Sequence, residues 1–122
     1  MMPPKKHPSL QKSFYYAFEG LKTAFVMERN FKVMLVFALL AIIAAFILKL
    51  SALAWALLLI VIGMVLSAEL LNTAIETTVD LVSPEYHELA KRAKDIAAAG
   101  VVIFAFISVI VGLIIFIDAF LQ

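Results

Sequence analysis

The chain of 122 residues contains no cysteine, which excludes a disulfide, a thiolate nucleophile and a thiolate metal site. Glycine is nearly as scarce: Gly20, Gly63, Gly100 and Gly112 are the only four, and they are scattered. No GxxxxGK[ST] run occurs, so a nucleotide bound here is held by neither a P-loop nor a Gly-rich kinase loop. Three of the four prolines fall within residues 1–9, and only Pro84 punctuates the rest. Charge of either sign is thin, with ten Lys/Arg against nine Asp/Glu and a formal net charge of +1. That balance gives no support to a general nucleic-acid role. It is thinnest in two runs: the seventeen residues from Ala52 to Ala68 and the twenty-two from Ile96 to Ile117 carry no formal charge at all.

What is present in their place is apolar side chain, 65% of the total, where soluble domains have about half. A soluble core built from so short a chain has no room for that much apolar surface, so the bilayer is expected to act as solvent. The reading is an all-α integral membrane protein with a flexible tail over residues 1–9 and one domain over 10–122. The first apolar run starts too far into the chain and is too long for a simple cleaved signal peptide.

Residues 10–27 read as an amphipathic helix. Phe14, Phe18, Leu21 and Phe25 recur at helical spacing, Lys12, Glu19 and Lys22 point elsewhere, and no run is long enough to span, so the helix is expected to lie in the membrane interface. Tyr15 and Tyr16 suit that depth. A polar knot at Glu28-Arg29-Asn30-Phe31-Lys32 follows. It reads more readily as a solvated turn with snorkelling cations than as a site, unless Glu28 meets Glu76 at one membrane depth. Helices are then predicted over 31–50, 52–82 and 84–120, each containing one span. The signal for the last is Ser83-Pro84-Glu85: Ser as cap, Pro at the first helical position, Glu at the positive end of the dipole. Six Lys/Arg precede the first span, and Lys91, Arg92 and Lys94 lie between the second and third. Only Lys49 lies between the first and second, and none follows the third. The N-terminus and the loop after the second span are therefore expected in the cytoplasm, and the C-terminus outside. Small residues, Ala41, Ala44 and Ala45 in the first span and Ala97 to Gly100 in the third, suit either packing within the chain or a homo-oligomer.

One polar feature interrupts this. Glu69, Asn72, Glu76 and Asp80 follow one another at spacings of three, four and four, which places them in a sector of roughly 80° on one helix face. Acids attached to the end of a lipid-soluble segment usually mark an ion, proton or substrate site. A carboxyl at Glu69, about 10 Å further into the apolar side than Glu76, suits a general base acting on the hydroxyl of something dissolved in the membrane. From the residues alone it suits a transported proton's site equally well. Glu76 lies nearer water, where with Glu28 it could hold a hard divalent cation, since Mg²⁺ takes one or two carboxylates plus substrate phosphates. Asn72 sits between and could orient either end. Lys94 could neutralise phosphate, and Glu85 and His87 could contact a nucleotide, although a solvated interfacial histidine is an equally good account of His87. Asp80 reads as a supporting helix-end residue that contacts a Lys or Arg. Phosphoryl transfer demands chiefly metal, cations and positioning, and this inventory suffices. A small proton- or cation-coupled transporter subunit and a structural adaptor are the competing readings.

The run Glu69-Leu70-Leu71-Asn72-Thr73-Ala74-Ile75-Glu76-Thr77-Thr78-Val79-Asp80 is followed by Glu85-Tyr86-His87-Glu88-Leu89-Ala90 and Ala93-Lys94-Asp95. Together these resemble the prokaryotic diacylglycerol kinase family, which includes undecaprenol kinases. Gly20-Leu21-Lys22 and Glu28-Arg29-Asn30-Phe31 extend the resemblance over nearly all of the chain after the tail. It implies a homotrimer in the bacterial cytoplasmic membrane, with three spans and an interfacial N-terminal helix per subunit. It also implies Mg²⁺-dependent transfer of the γ-phosphate of ATP to a lipid hydroxyl. Glu69 would be the general base and touch the lipid, with Asn72 supporting the centre; Glu28 and Glu76 would bind the metal. Tyr16, Glu28, Glu76, Glu85, Tyr86, His87, Lys94 and Asp95 would surround the nucleotide, and Ala98 with Ser13, Phe14, Tyr15, Tyr16, Ala17 and Phe18 would line the lipid pocket. Proteobacterial members often carry an arginine near the position of Ser9 and an acid near Met34, and neither is present. The Glu28 to Phe31 segment and the Ala97 to Gly100 run look more like Gram-positive members, so the resemblance favours undecaprenol over diacylglycerol.

Overall fold

The computed structural model describes residues 6, 7 and 9–122. Of the predicted tail, residues 1–5 and 8 lie outside these. Four helices make up the described chain: α1 Leu10–Met27, α2 Arg29–Ile47, α3 Ala52–Val82 and α4 Glu88–Leu121. α2, α3 and α4 are each long and apolar enough to cross a membrane. At 1.5 Å per residue, α3 and α4 run about 45–50 Å, longer than a hydrocarbon core of roughly 30 Å.

The breaks between helices have local causes. Ser9 caps α1, its Oγ accepting from the Lys12 N–H at 3.3 Å. Between α1 and α2 a single extended residue, Glu28, redirects the chain (φ −108°, ψ 110°). Its N–H still donates to the Ala24 carbonyl at 2.8 Å, so one turn closes as the next opens. The α2 helix therefore starts two residues before the predicted 31 and ends at Ile47, three before the predicted 50. Lys49 takes a left-handed conformation (φ 54°), its N–H donates to the Phe46 carbonyl at 3.3 Å and the Leu50 N–H to the Ala45 carbonyl at 3.2 Å, a Schellman helix ending that tucks Leu50 into the core. Ser51 then caps α3 by accepting from the Ala54 N–H at 3.2 Å.

The largest correction concerns α4, which begins at Glu88 and not at 84. Ser83 ends α3 instead of starting α4, and its Oγ donates to the Glu85 carbonyl at 3.0 Å. The cap of α4 is His87, whose Nδ1 accepts from the Leu89 N–H at 3.1 Å. Residues 83–87 thus form a loop.

α3 and α4 pack along each other, α2 lies against α3, and α1 rests on α2 and α3. At the α2–α3 turn a small core gathers Ala45, Leu50, Leu58 and Ile115, flanked by an edge-on Phe46–Trp55 pair at 4.8 Å. Large apolar side chains elsewhere point outward, Leu53 at 72% and Phe106 at 66% exposure among them. Such a surface is stable only against lipid or another subunit. The protein is a multi-pass membrane protein.

Candidate active site

Two polar side chains are buried among the described residues, Glu69 at 3% and Asn72 at 8% exposure. Both stand on the acidic stripe of α3, so the face that periodicity places inward is the face the packing closes. Asn72 Nδ2 donates to Glu76 Oε1 at 3.1 Å, which ties two members of the stripe together one turn apart. The Asn72 Oδ1 acceptor is buried with no partner.

Glu28 joins this group from the break between α1 and α2. It is half-buried, and its charge and that of Glu76 both bear on Glu69. Among the described residues none of the three carboxylates is paired with a lysine or arginine. The cations are used elsewhere: Lys94 pairs with Asp80, Lys91 with Asp95 at 2.6 Å, and Arg92 with Glu88 at 3.8 Å. The stripe therefore changes character along its length. Its membrane end is an uncompensated acidic cluster, and its far end, at Asp80, is neutralised from α4.

At that far end the loop 83–87 and the start of α4 enclose a pocket of about 390 Å³, whose lining includes Asp80, Glu85, Tyr86, His87, Lys94 and Asp95. The structure so brings together five of the eight residues expected around a nucleotide. Tyr16, Glu28 and Glu76 do not line this pocket: Tyr16 is exposed on α1, edge-on to Tyr15 at 5.8 Å, while Glu28 and Glu76 belong to the acidic cluster. His87 carries the capping hydrogen bond of α4 as well as its place in the pocket, which neither sequence account of it anticipates.

The residues expected to line a lipid pocket are less gathered. Ser13, Phe14, Tyr15, Tyr16, Ala17 and Phe18 are all exposed on α1. Of these only Ala17 borders the groove of about 650 Å³ between α1 and α3, which also reaches Glu28 and Thr73. Ala98 is exposed on α4 and lines neither this groove nor the nucleotide-sized pocket. Thr73 was not singled out by spacing, because its place beside the stripe is that of an ordinary small helical residue. The signal available was its register, one turn after Glu69.

The fold and site define a polytopic helical membrane protein with an acidic centre at one end of a span and a mixed-charge pocket beyond it. Residues 15–116 match the family described as prokaryotic diacylglycerol kinase. The chain is 47% identical to the undecaprenol kinase of Bacillus subtilis (strain 168) over 105 residues, covering 86% of this chain and 85% of that protein. It is also 47% identical to a diacylglycerol kinase of Synechocystis over 106 residues, 86% of this chain but 61% of that one. To the diacylglycerol kinase of Escherichia coli (strain K12) it is 40% identical over 95 residues, 78% of each. The chain belongs to the prokaryotic diacylglycerol kinase family and is a lipid kinase. With that, the transporter and adaptor readings of the acidic stripe fall away, and ATP is the co-substrate that the class implies.

Proposed function

We propose that the protein transfers the γ-phosphate of ATP to the hydroxyl of undecaprenol, with diacylglycerol as the second reading. The observation that carries the catalytic assignment is the burial of Glu69 on a lipid-facing helix with no cation beside it. A buried carboxylate without a structural partner needs a functional one. Glu69 accepts the proton of the lipid hydroxyl. The freed oxygen bonds to the γ-phosphorus as the bond from that phosphorus to the bridging oxygen of ADP breaks.

The donor set at Glu28 and Glu76 fits Mg²⁺. Glu76, held by Asn72 Nδ2 at 3.1 Å, and Glu28, whose charge acts on Glu69 together with that of Glu76, have no lysine or arginine partner among the described residues and would offer a hard cation carboxylate oxygens to be supplemented by water and phosphate. When bound, the ion would offset charge on the phosphates. Asn72 holds Glu76 in place for it. Glu85, Tyr86, His87 and Asp95 line the nucleotide site from the far side, with Tyr16 added from α1, and Lys94 supplies positive charge toward the phosphates while Asp80 positions it. Ser13 to Phe18 and Ala98 meet the lipid. α1 lies in the cytoplasmic interface, the site faces the cytoplasm where ATP is available, and the C-terminus lies outside. Subunits assemble as a homotrimer, for which the outward apolar faces of α2 and α4 are the support.

Undecaprenol is put first because the chain is 47% identical to the B. subtilis undecaprenol kinase over 85% of that protein, against 40% to the E. coli diacylglycerol kinase, and because the Glu28 to Phe31 and Ala97 to Gly100 segments resemble Gram-positive members; the equal identity to the Synechocystis diacylglycerol kinase keeps the second reading open to test. The test is phosphorylation by purified protein in mixed micelles with labelled ATP, offering the two alcohols separately and in competition. A higher kcat/KM for undecaprenol supports the proposal, and a higher value for diacylglycerol overturns it in favour of the second reading.

A further inference from the structure

Of the four threonines, three use their hydroxyls in the way helical threonines ordinarily do. Thr23 Oγ1 donates to the Glu19 carbonyl at 2.9 Å, Thr77 to Thr73 at 2.8 Å and Thr78 to Ala74 at 2.8 Å. Thr73 does not. Its Oγ1 is buried and has no hydrogen-bond partner, although the Glu69 carbonyl lies one turn back, where the other three find theirs. A buried hydroxyl left unpaired is unfavourable, so its position calls for an absent partner.

The surroundings say what kind. Thr73 lines the groove between α1 and α3, whose walls include Leu21, Ala24, Met27 and Leu70, with Glu28 also on its border. The groove is thus mainly apolar, with Thr23, Thr73, Thr77 and one edge of the acidic cluster as polar features; the hydroxyls of Thr23 and Thr77 are taken by helix carbonyls, and the unpaired hydroxyl of Thr73 lies just beneath the wall. Along the α3 axis Thr73 lies about 6 Å from Glu69 and about 4.5 Å from Glu76, between the two. An amphiphile with an apolar chain and a single hydroxyl head matches this lining. A phosphate or other anion does not, because the border carries a carboxylate.

Resting on the lipid-kinase reading above, we propose that Thr73 is a positioning residue for the acceptor. Its Oγ–H donates to the oxygen of the lipid alcohol and holds that head between Glu69 and Glu76, while the groove between α1 and α3 receives the adjoining part of the chain. The alcohol's own proton stays free for Glu69, and one oxygen lone pair remains to attack.

The test compares wild type with Thr73→Val, which keeps shape and β-branching but removes the hydroxyl, and with Thr73→Ser, which keeps the hydroxyl. Each is assayed in mixed micelles against undecaprenol, diacylglycerol and ATP, with thermal unfolding in the same detergent. Thr73→Val is expected to raise the KM for the preferred alcohol about three- to tenfold, leave the KM for ATP unchanged, and unfold at the wild-type temperature or above it, since an unpaired buried hydroxyl has been removed. Thr73→Ser is expected to restore the lipid KM. An unchanged lipid KM in folded Thr73→Val overturns the proposal and leaves a bound water as the partner. Should Thr73→Val not fold, a Thr73→Ser lipid KM raised as much as that of Thr73→Ala overturns it instead. If wild type phosphorylates neither alcohol, the acceptor reading itself fails and this inference falls with it, an outcome distinct from transfer that ignores Thr73.

Discussion

Replacing Asn72 by leucine tests the centre of the site, because leucine keeps the branched shape, is somewhat larger, and so removes polarity without opening a cavity. The bond lost is Asn72 Nδ2 to Glu76 Oε1 at 3.1 Å, a neutral donor to a charged acceptor. Such bonds contribute about 1.5–3 kcal/mol. If that energy serves to hold Glu76 for the metal–nucleotide complex, its loss lowers kcat/KM for ATP by roughly 10- to 150-fold and raises the Mg²⁺ concentration at half-maximal rate. Stability should move much less. Asn72 Oδ1 is buried and unpartnered, so the same substitution removes an unfavourable group worth about 1–3 kcal/mol, and the two effects nearly cancel in the empty protein. The assay is initial-rate lipid phosphorylation in mixed micelles across a Mg²⁺ titration, with thermal unfolding alongside. A variant with wild-type rate and wild-type Mg²⁺ dependence would refute the claim that Asn72 orients Glu76. A large loss of stability with normal Mg²⁺ dependence would make Asn72 a packing residue instead.

Other consequences follow from single features. The exposed Asp80–Lys94 pair contributes less than about 1 kcal/mol to folding. Asp80→Asn is therefore expected to leave the unfolding midpoint nearly unchanged, while Lys94→Met raises the KM for ATP at least about tenfold by removing a cation from the phosphates; equal, small effects of both on ATP use would sink the assignment. Lys49→Gly relieves a left-handed lysine at φ 54° and should stabilise the protein by about 1 kcal/mol at unchanged activity, because the turn lies at the opposite end of the spans from the site. A lower midpoint on unfolding would contradict that. Ala45 is fully enclosed, at 0% exposure, beside Leu50, Leu58 and Ile115, so Ala45→Leu should cost about 1–3 kcal/mol through overpacking, read as a lower midpoint in the same detergent.

The three spans were legible because charge-free runs of sixteen, seventeen and twenty-two residues have no other home than lipid, and the acidic stripe because helical periodicity converts spacing into a face. Among the described residues, Glu69 and Asn72 are the two buried polar ones for that reason. What escaped were helix ends. Ser83-Pro84-Glu85 carries sound capping chemistry, yet Ser83 sits at the end of one helix before it can begin the next, and a histidine, an unusual cap, takes the role four residues later. The end of α2 was hidden inside an apolar stretch, since nothing in Leu48-Lys49-Leu50 announces that a lysine will adopt a glycine's conformation. Thr73 shows a different kind of blindness. Which partner a threonine hydroxyl takes depends on a rotamer, and Thr73 and Thr77 look equivalent until one is seen bonded and the other is not. The split between an acidic cluster holding Glu28 and Glu76 and a pocket holding Glu85 to His87 was also out of reach, because it depends on the angle at which the 83–87 loop leaves α3.

The most direct test of the account is transfer of labelled γ-phosphate from ATP to undecaprenol in mixed micelles by wild type and by Glu69→Gln. The variant keeps the size of the side chain and removes its basicity. Wild type is expected to label the lipid, and Glu69→Gln, folded as judged by its unfolding transition, to lose at least about two orders of magnitude in rate with the KM for ATP little changed. A folded Glu69→Gln that transfers phosphate at the wild-type rate would contradict it, because the buried carboxylate around which the site is built would then have no part in the chemistry.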